Sequence, residues 1–176
     1  MDNTLILEKE EENRRYIHNH ISNVKLAWDN MKKNKKCMDI VKSNMKYESE
    51  TYILSIVEYM LSVHDQSKFS PEEFYAYRKM FYPIDDKEKE EVQKSGEWDK
   101  AVQHHYDENI HHWNHWVKNK DDMPFLAVLE MVLDWTAMGY QFGNTALDYY
   151  NKNKDKIELG ERQRRLTEEL LEAFFK

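Results

Sequence analysis

Cysteine occurs once in the 176 residues, at Cys37. That excludes an internal disulfide framework and suits a reducing compartment. Glycine (four) and proline (three) are almost as scarce, so little punctuates a strand-rich fold and no glycine-rich loop is present to cradle phosphate. Long hydrophobic runs are missing too. Apolar stretches fall well short of the ~20 residues that a membrane span requires, and charge interrupts most of them. Basic charge does not dominate: Lys+Arg number 26 against 33 Asp+Glu, a net charge of −7. General nucleic-acid binding, which needs a basic stripe, is therefore not expected. A small anionic substrate stays open, because a bound metal ion inverts the local field. The opening Met1-Asp2-Asn3 leads into an acidic helix and not into a basic, apolar, small-residue leader. The expectation is a cytoplasmic protein with no membrane partner.

What fills the chain is Lys, Glu, Leu, Met and aromatic residues, a composition of helix formers. The fold class expected is all-α, one domain over residues 1–176 built as a bundle of about six to eight helices. Its core should lie at about residues 15–150. The apolar spacing Ile17, Ile21, Val24, Ala27, Trp28 and Met31 predicts a first helix from about Leu5 to Lys33. His20 falls inside that stripe and His18 on the opposite, polar side. A short helix over Lys36–Asn44 should follow, then one from about Glu48 to Asp65 whose stripe ends at His64. Ser70-Pro71-Glu72-Glu73 reads as a helix start, with Ser70 and Glu73 forming a capping box. Tyr82–Gly96 is charged and reads as a loop over a site. One helix is expected from Glu97 to about Lys118, and another from Asp122-Pro124 that carries Glu130 and Asp134 on one side. Gly143 and Gly160 mark breaks before two more helices. The last, over 161–176, is amphipathic and suits packing on the core or on a partner subunit, which would make a homodimer.

The chemistry concentrates in the run His64-Asp65-Gln66-Ser67-Lys68. Adjacent His and Asp at a helix end offer a nitrogen and an oxygen to one cation, and Lys68 can neutralise an anion held there. His20 and Asp134 add an imidazole and a carboxylate on core-facing stripes, where an unpaired polar group would be costly. Two imidazoles and two carboxylates suit a divalent ion that favours mixed nitrogen and oxygen ligands. A lone His on an apolar face is more often a hydrogen-bonded core residue, and a lone intrahelical Asp is often solvated or a cap. It is the four together, with Lys68, that point to metal.

The order His20, His64-Asp65, Asp134, with separations of 44 and 69 positions, resembles the HD-domain phosphohydrolase superfamily. That resemblance implies an all-helical fold and a divalent ion (Mn, Co, Mg, Zn or Fe), or two, held by His20, His64, Asp65 and Asp134. It also implies a Lys in the place of Lys68. The runs HDQSKFSPEEF, HHYDENIHHWNHW and EMVLDWTAM are more narrowly similar to an uncharacterised family of bacterial and phage proteins grouped near HD domains. That likeness covers roughly residues 15–150 and implies a fold and a chemistry class, not a substrate.

Five of the eight His lie between 104 and 115. On one helix His105 and His112 share a face about 10.5 Å apart, too far to chelate one ion. That separation suits a second metal or a substrate phosphate. His111 and His115 have the i, i+4 chelating spacing; His104 reads as surface. Additional His in HD enzymes come from separate helices, so a single-helix cluster departs from the pattern, and a hydrogen-bonded seam between helices stays open for it. Glu108-x-x-His111 is the ferritin-like carboxylate motif, but a second copy is lacking. The function expected is a metal-dependent phosphohydrolase acting on a nucleotide or other small phosphoester. In it Asp65 orients the nucleophile, Lys68 stabilises phosphoryl charge and His105 or His112 protonates the leaving oxygen. The alternatives are an HD-like di-iron oxygenase and a non-catalytic helical module that binds a nucleotide or a partner.

Overall fold

Apolar residues at three- and four-residue spacing wind most of this chain into helices. The computed structural model describes residues 3–45 and 49–176, and among the described residues there are nine α-helices and no strand. They are α1 (Asn3–Met31), α2 (Lys35–Asn44), α3 (Glu50–Ser62), α4 (Pro71–Phe81), α5 (Asp86–Lys94), α6 (Glu97–Glu108), α7 (Phe125–Phe142), α8 (Ala146–Asn153) and α9 (Glu161–Phe175). Short 3-10 turns lie at Gln66–Phe69, Trp113–Trp116 and Lys120–Asp122. No helix among the described residues is long and apolar enough to cross a membrane.

The chain divides into two compact units. One takes in the residues up to Asn19 together with Asp65–Asn109; the other is His20–His64 with Ile110–Lys176. The chain passes from one to the other within α1, at His64-Asp65, and at Asn109-Ile110.

In the second unit α7 is the central helix, buried almost all round from Ala127 to Ala137, as a helix without a polar face must be. Against it and beside it lie Trp28, Met31, Val57, Leu61, Leu166, Leu170 and Leu171. The helix ends are written locally. Asn34 Oδ1 accepts from the Lys36 and Cys37 amides at 3.0 and 3.3 Å, and Ser49 Oγ accepts from Tyr52 at 3.2 Å. Gly143 terminates α7 at φ +74°, and a Thr145–Asp148 capping box opens α8, satisfying amides that would otherwise be orphaned. Of the predicted third helix, the start at Glu48 lies outside the described residues. Its end comes earlier than expected, at Ser62, so that His64 and Asp65 follow the helix, with Asp65 at φ +56°.

In the first unit α4, α5 and α6 pack around Ala76, Val92 and Ala101. The expected loop over Tyr82–Gly96 is instead largely α5. Asp85 Oδ1 caps it by accepting from Glu88 at 2.8 Å, Val92 is buried, and Arg78 grips Glu88 with two 2.6 Å bonds. A single apolar anchor in nine residues is too little periodicity to read as a helix. Nor does one helix run from Glu97 to Lys118, because α6 stops at Glu108. Asn109 turns extended (φ −115°, ψ 96°) and its side-chain amide donates to the His105 carbonyl at 2.8 Å, the local competition that makes Asn a helix breaker. The Ser70–Glu73 capping box does not form. Ser70 precedes Pro71 at the start of α4 without a side-chain cap, and the Glu73 side chain is taken up elsewhere.

Candidate metal centre

Three donors predicted from the sequence meet in the second unit. His20 Nε2 lies 2.9 Å from Asp134 Oδ1 and 3.3 Å from His64 Nε2, while His64 Nε2 lies 3.8 Å from Asp134 Oδ1. All three residues are buried. They come from α1, from the residues just after α3, and from the middle of α7. His64 Nδ1 sits 2.8 Å from Glu130 Oε1, one turn before Asp134 on α7. A carboxylate at that distance accepts a hydrogen bond from Nδ1–H and leaves the lone pair on Nε2, the nitrogen nearer His20 and Asp134. This is the arrangement by which a carboxylate orients a ligating imidazole.

The triangle fits a metal ion. Bonds of about 2.1 Å put neighbouring donors about 3.0 Å apart in octahedral and about 3.4 Å apart in tetrahedral coordination, close to the three separations seen. The 3.8 Å edge is too long for a hydrogen bond, while the other two lie within hydrogen-bond reach. Two imidazoles and one carboxylate suit Zn, Fe, Mn or Co better than an all-oxygen ion such as Ca. His111 brings a further donor: its ring lies 4.4 Å from that of His64, centroid to centroid, and its Nδ1 lies 3.5 Å from Glu130 Oε1. His64, His111 and Asp134 together form a buried group able to hold a cation. Burial alone would raise the Asp134 carboxyl, but the hydrogen bond from His20 and the positive potential of His20, His111 and His64 outweigh it and hold the group far below the usual range.

The other predicted residues collect in the first unit. Lys68, one 3-10 turn after Asp65, places Nζ 2.6 Å from Asp65 Oδ2 and stands 5.7 Å over the Tyr77 ring. His105 Nε2 lies 3.6 Å from Asp65 Oδ1. Asp65 follows His64 along the chain but belongs to this unit. His112 and His111 are on the second unit's part of the chain, with rings 4.2 Å apart. His105 is therefore on α6 while His111 and His112 lie beyond its end. The two spacing arguments that rested on one helix, 10.5 Å for His105 and His112 and i, i+4 for His111 and His115, do not apply. His115 is exposed. His104 is not a plain surface residue: its Nδ1 meets Glu73 Oε1 at 2.8 Å.

Two carboxylates were not assigned these jobs by sequence reasoning. Glu130 shares a side of α7 with Asp134, and a Glu in an otherwise apolar helix was the available signal. Glu73 carried none, because its position after Ser-Pro-Glu reads as a cap.

The chain belongs to the family of unknown function DUF5662. The DUF5662 match spans residues 9–176, and so takes in the His20, His64, Asp134 triangle, Glu130 and every first-unit residue just described. No curated protein and no solved structure matches the chain.

Proposed function

We propose that this chain is a metal-dependent hydrolase of small phosphoesters, a nucleotide among them, built on an HD-like arrangement of helices. The observation that supports it is the buried triangle of His20 Nε2, His64 Nε2 and Asp134 Oδ1, at 2.9, 3.3 and 3.8 Å, with Glu130 orienting His64. A divalent ion bound there supplies a Lewis acid and a water of lowered pKa. His20, His64 and Asp134 hold it, and Glu130 keeps the His64 lone pair on it. The sequence order His-Asp-x-x-Lys adds Asp65 as a further ligand or orienting carboxylate, and Lys68 as the cation that meets phosphoryl charge. His105 and His112 are the candidates to carry the proton of the leaving oxygen.

Two imidazoles with one carboxylate are also the ligand set of non-haem iron(II) oxygenases, and this is the second reading. Metal analysis of the purified chain beside His64→Ala, together with a screen of nucleotides and generic phosphoesters in Mn, Co and Mg, tests both. The expected result is metal in the parent, little in the variant, and release of phosphate or nucleoside. Equal metal in both proteins removes the centre. Bound iron with oxygen consumption and no phosphoester turnover selects the oxygenase, and intact metal with neither activity leaves a binding module.

A further inference from the structure

Glu73 is fully buried on α4, yet it holds hydrogen bonds from several side chains at once. His104 Nδ1 lies 2.8 Å from Oε1 and His105 Nδ1 lies 2.9 Å from Oε2, so consecutive residues of α6 grip the two oxygens of one carboxylate. Ser67 stands beside the pair, with its Oγ 3.5 Å from His105 Nδ1. Burial would raise the Glu73 carboxyl, but the bonds from His105, Ser67 and His104 prevail and keep it below the usual range. An ionised carboxylate only accepts, so each imidazole nitrogen facing it must carry a proton.

The neighbours of His105 agree. Asn109 Nδ2 stands 3.1 Å from His105 Nδ1, but it has only two hydrogens. They go to Ser67 Oγ at 2.7 Å and the His105 carbonyl at 2.8 Å. Nδ1 is left as the donor to Glu73. In the neutral ring Nε2 is then the basic nitrogen; it lies 3.6 Å from Asp65 Oδ1, beyond hydrogen-bond reach. Asp65 is itself held through its other oxygen by Lys68.

We propose that Glu73 is a positioning residue that presets His105 as the Nδ1–H tautomer, leaving Nε2 as the ring nitrogen without a proton. Any use of that nitrogen in turnover rests on the hydrolase reading; the tautomer does not.

Long-range nitrogen-15 spectra of the histidine rings in the full chain, in mildly alkaline buffer, read the tautomer directly. His105 is assigned by the signals lost in His105→Ala. The parent should show His105 protonated at Nδ1 and bare at Nε2. Glu73→Leu, which leaves no acceptor on that side chain, should lose that preference, with the Nε2–H form rising to a comparable or larger share, and phosphoester turnover should fall by about 10- to 100-fold at unchanged metal content. His104→Ala should leave the His105 tautomer as it was. An Nε2–H ring in the parent, or an unaltered tautomer in Glu73→Leu, overturns the proposal. Should Glu73→Leu not fold, the parent spectrum alone still decides it. Should the parent turn over no phosphoester while His105 shows the Nδ1–H form, the hydrolase reading falls and the positioning stands.

Discussion

A buried imidazole becomes a useful ligand only when something fixes which nitrogen is bare. Glu130 does this for His64 at 2.8 Å. Glu130→Gln keeps an acceptor but removes the charge, and metal affinity should drop by about 10- to 100-fold, measured by competition with a coloured chelator. Unchanged affinity would detach Glu130 from the centre. Lys68 tests the other part of the reading. Its ammonium neutralises the nearly inaccessible Asp65 at 2.6 Å, so Lys68→Ala should lower turnover by about 100-fold or more. The loss of metal should be much smaller. Parallel losses of both would mean that Lys68 serves the fold and not the phosphoryl group. His20, His64, Asp134 and Lys68 were legible in the chain because apolar periodicity and a short motif marked them. The partners Glu130 and Glu73 were not, since a carboxylate's acceptor role depends on which ring another helix brings to it.

At the level of elements, the ends of helices and the bonds between them decide what holds. Gly139, in the last turns of α7, has no room for a side chain: a Cβ there would stand 2.5 Å from the Asn144 carbonyl oxygen, where the chain folds back to open α8. Gly139→Ala must displace backbone and should destabilise by about 1–3 kcal/mol, seen in thermal unfolding. A melting temperature equal to the parent's would show that the turn yields. The α4–α5 link predicts a pH effect. Burial pushes the Glu88 carboxyl up, but the Arg78 hydrogen bonds and charge and the Ile84 amide pull it lower on balance. A carboxyl held below its unfolded value contributes its full stabilisation above that value, about 4.5. The contribution is lost as the pH falls through the lower folded value. Urea midpoints should therefore drop as the pH is taken below about 4.5, and Glu88→Gln should flatten part of that slope. The same slope in both proteins would refute the assignment. The α5 helix, unlike α1 or α7, escaped sequence reading because its support is this ion pair and one valine.

For the whole molecule, the question is what the centre depends on. Glu130 and Asp134 stand on α7, and α9 packs in the same core through Leu166, Leu170 and Leu171. Each buried leucine is worth about 2–5 kcal/mol against alanine, and a domain's net stability is only about 5–15 kcal/mol. A chain ended at residue 160 should therefore lose the helical packing of the second unit, and the metal with it. Circular dichroism and metal analysis of the shortened chain check this. Retained metal would show that α7 is held without α9. The match to DUF5662 over residues 9–176 includes α9.

The sequence by itself determined that the described chain is helical, where most helices begin and end, and that His20 and Asp134 lie on buried helix faces. Those properties follow from spacing along a helix and from caps a few residues away, and both are local. Tertiary structure alone decided that His20, His64 and Asp134 share one point within a unit and that Glu130 orients His64. It also decided that Glu73 faces two imidazoles instead of capping its own helix. Each of these depends on atoms brought together from segments far apart in the chain, and spacing along one helix carries no record of its neighbours.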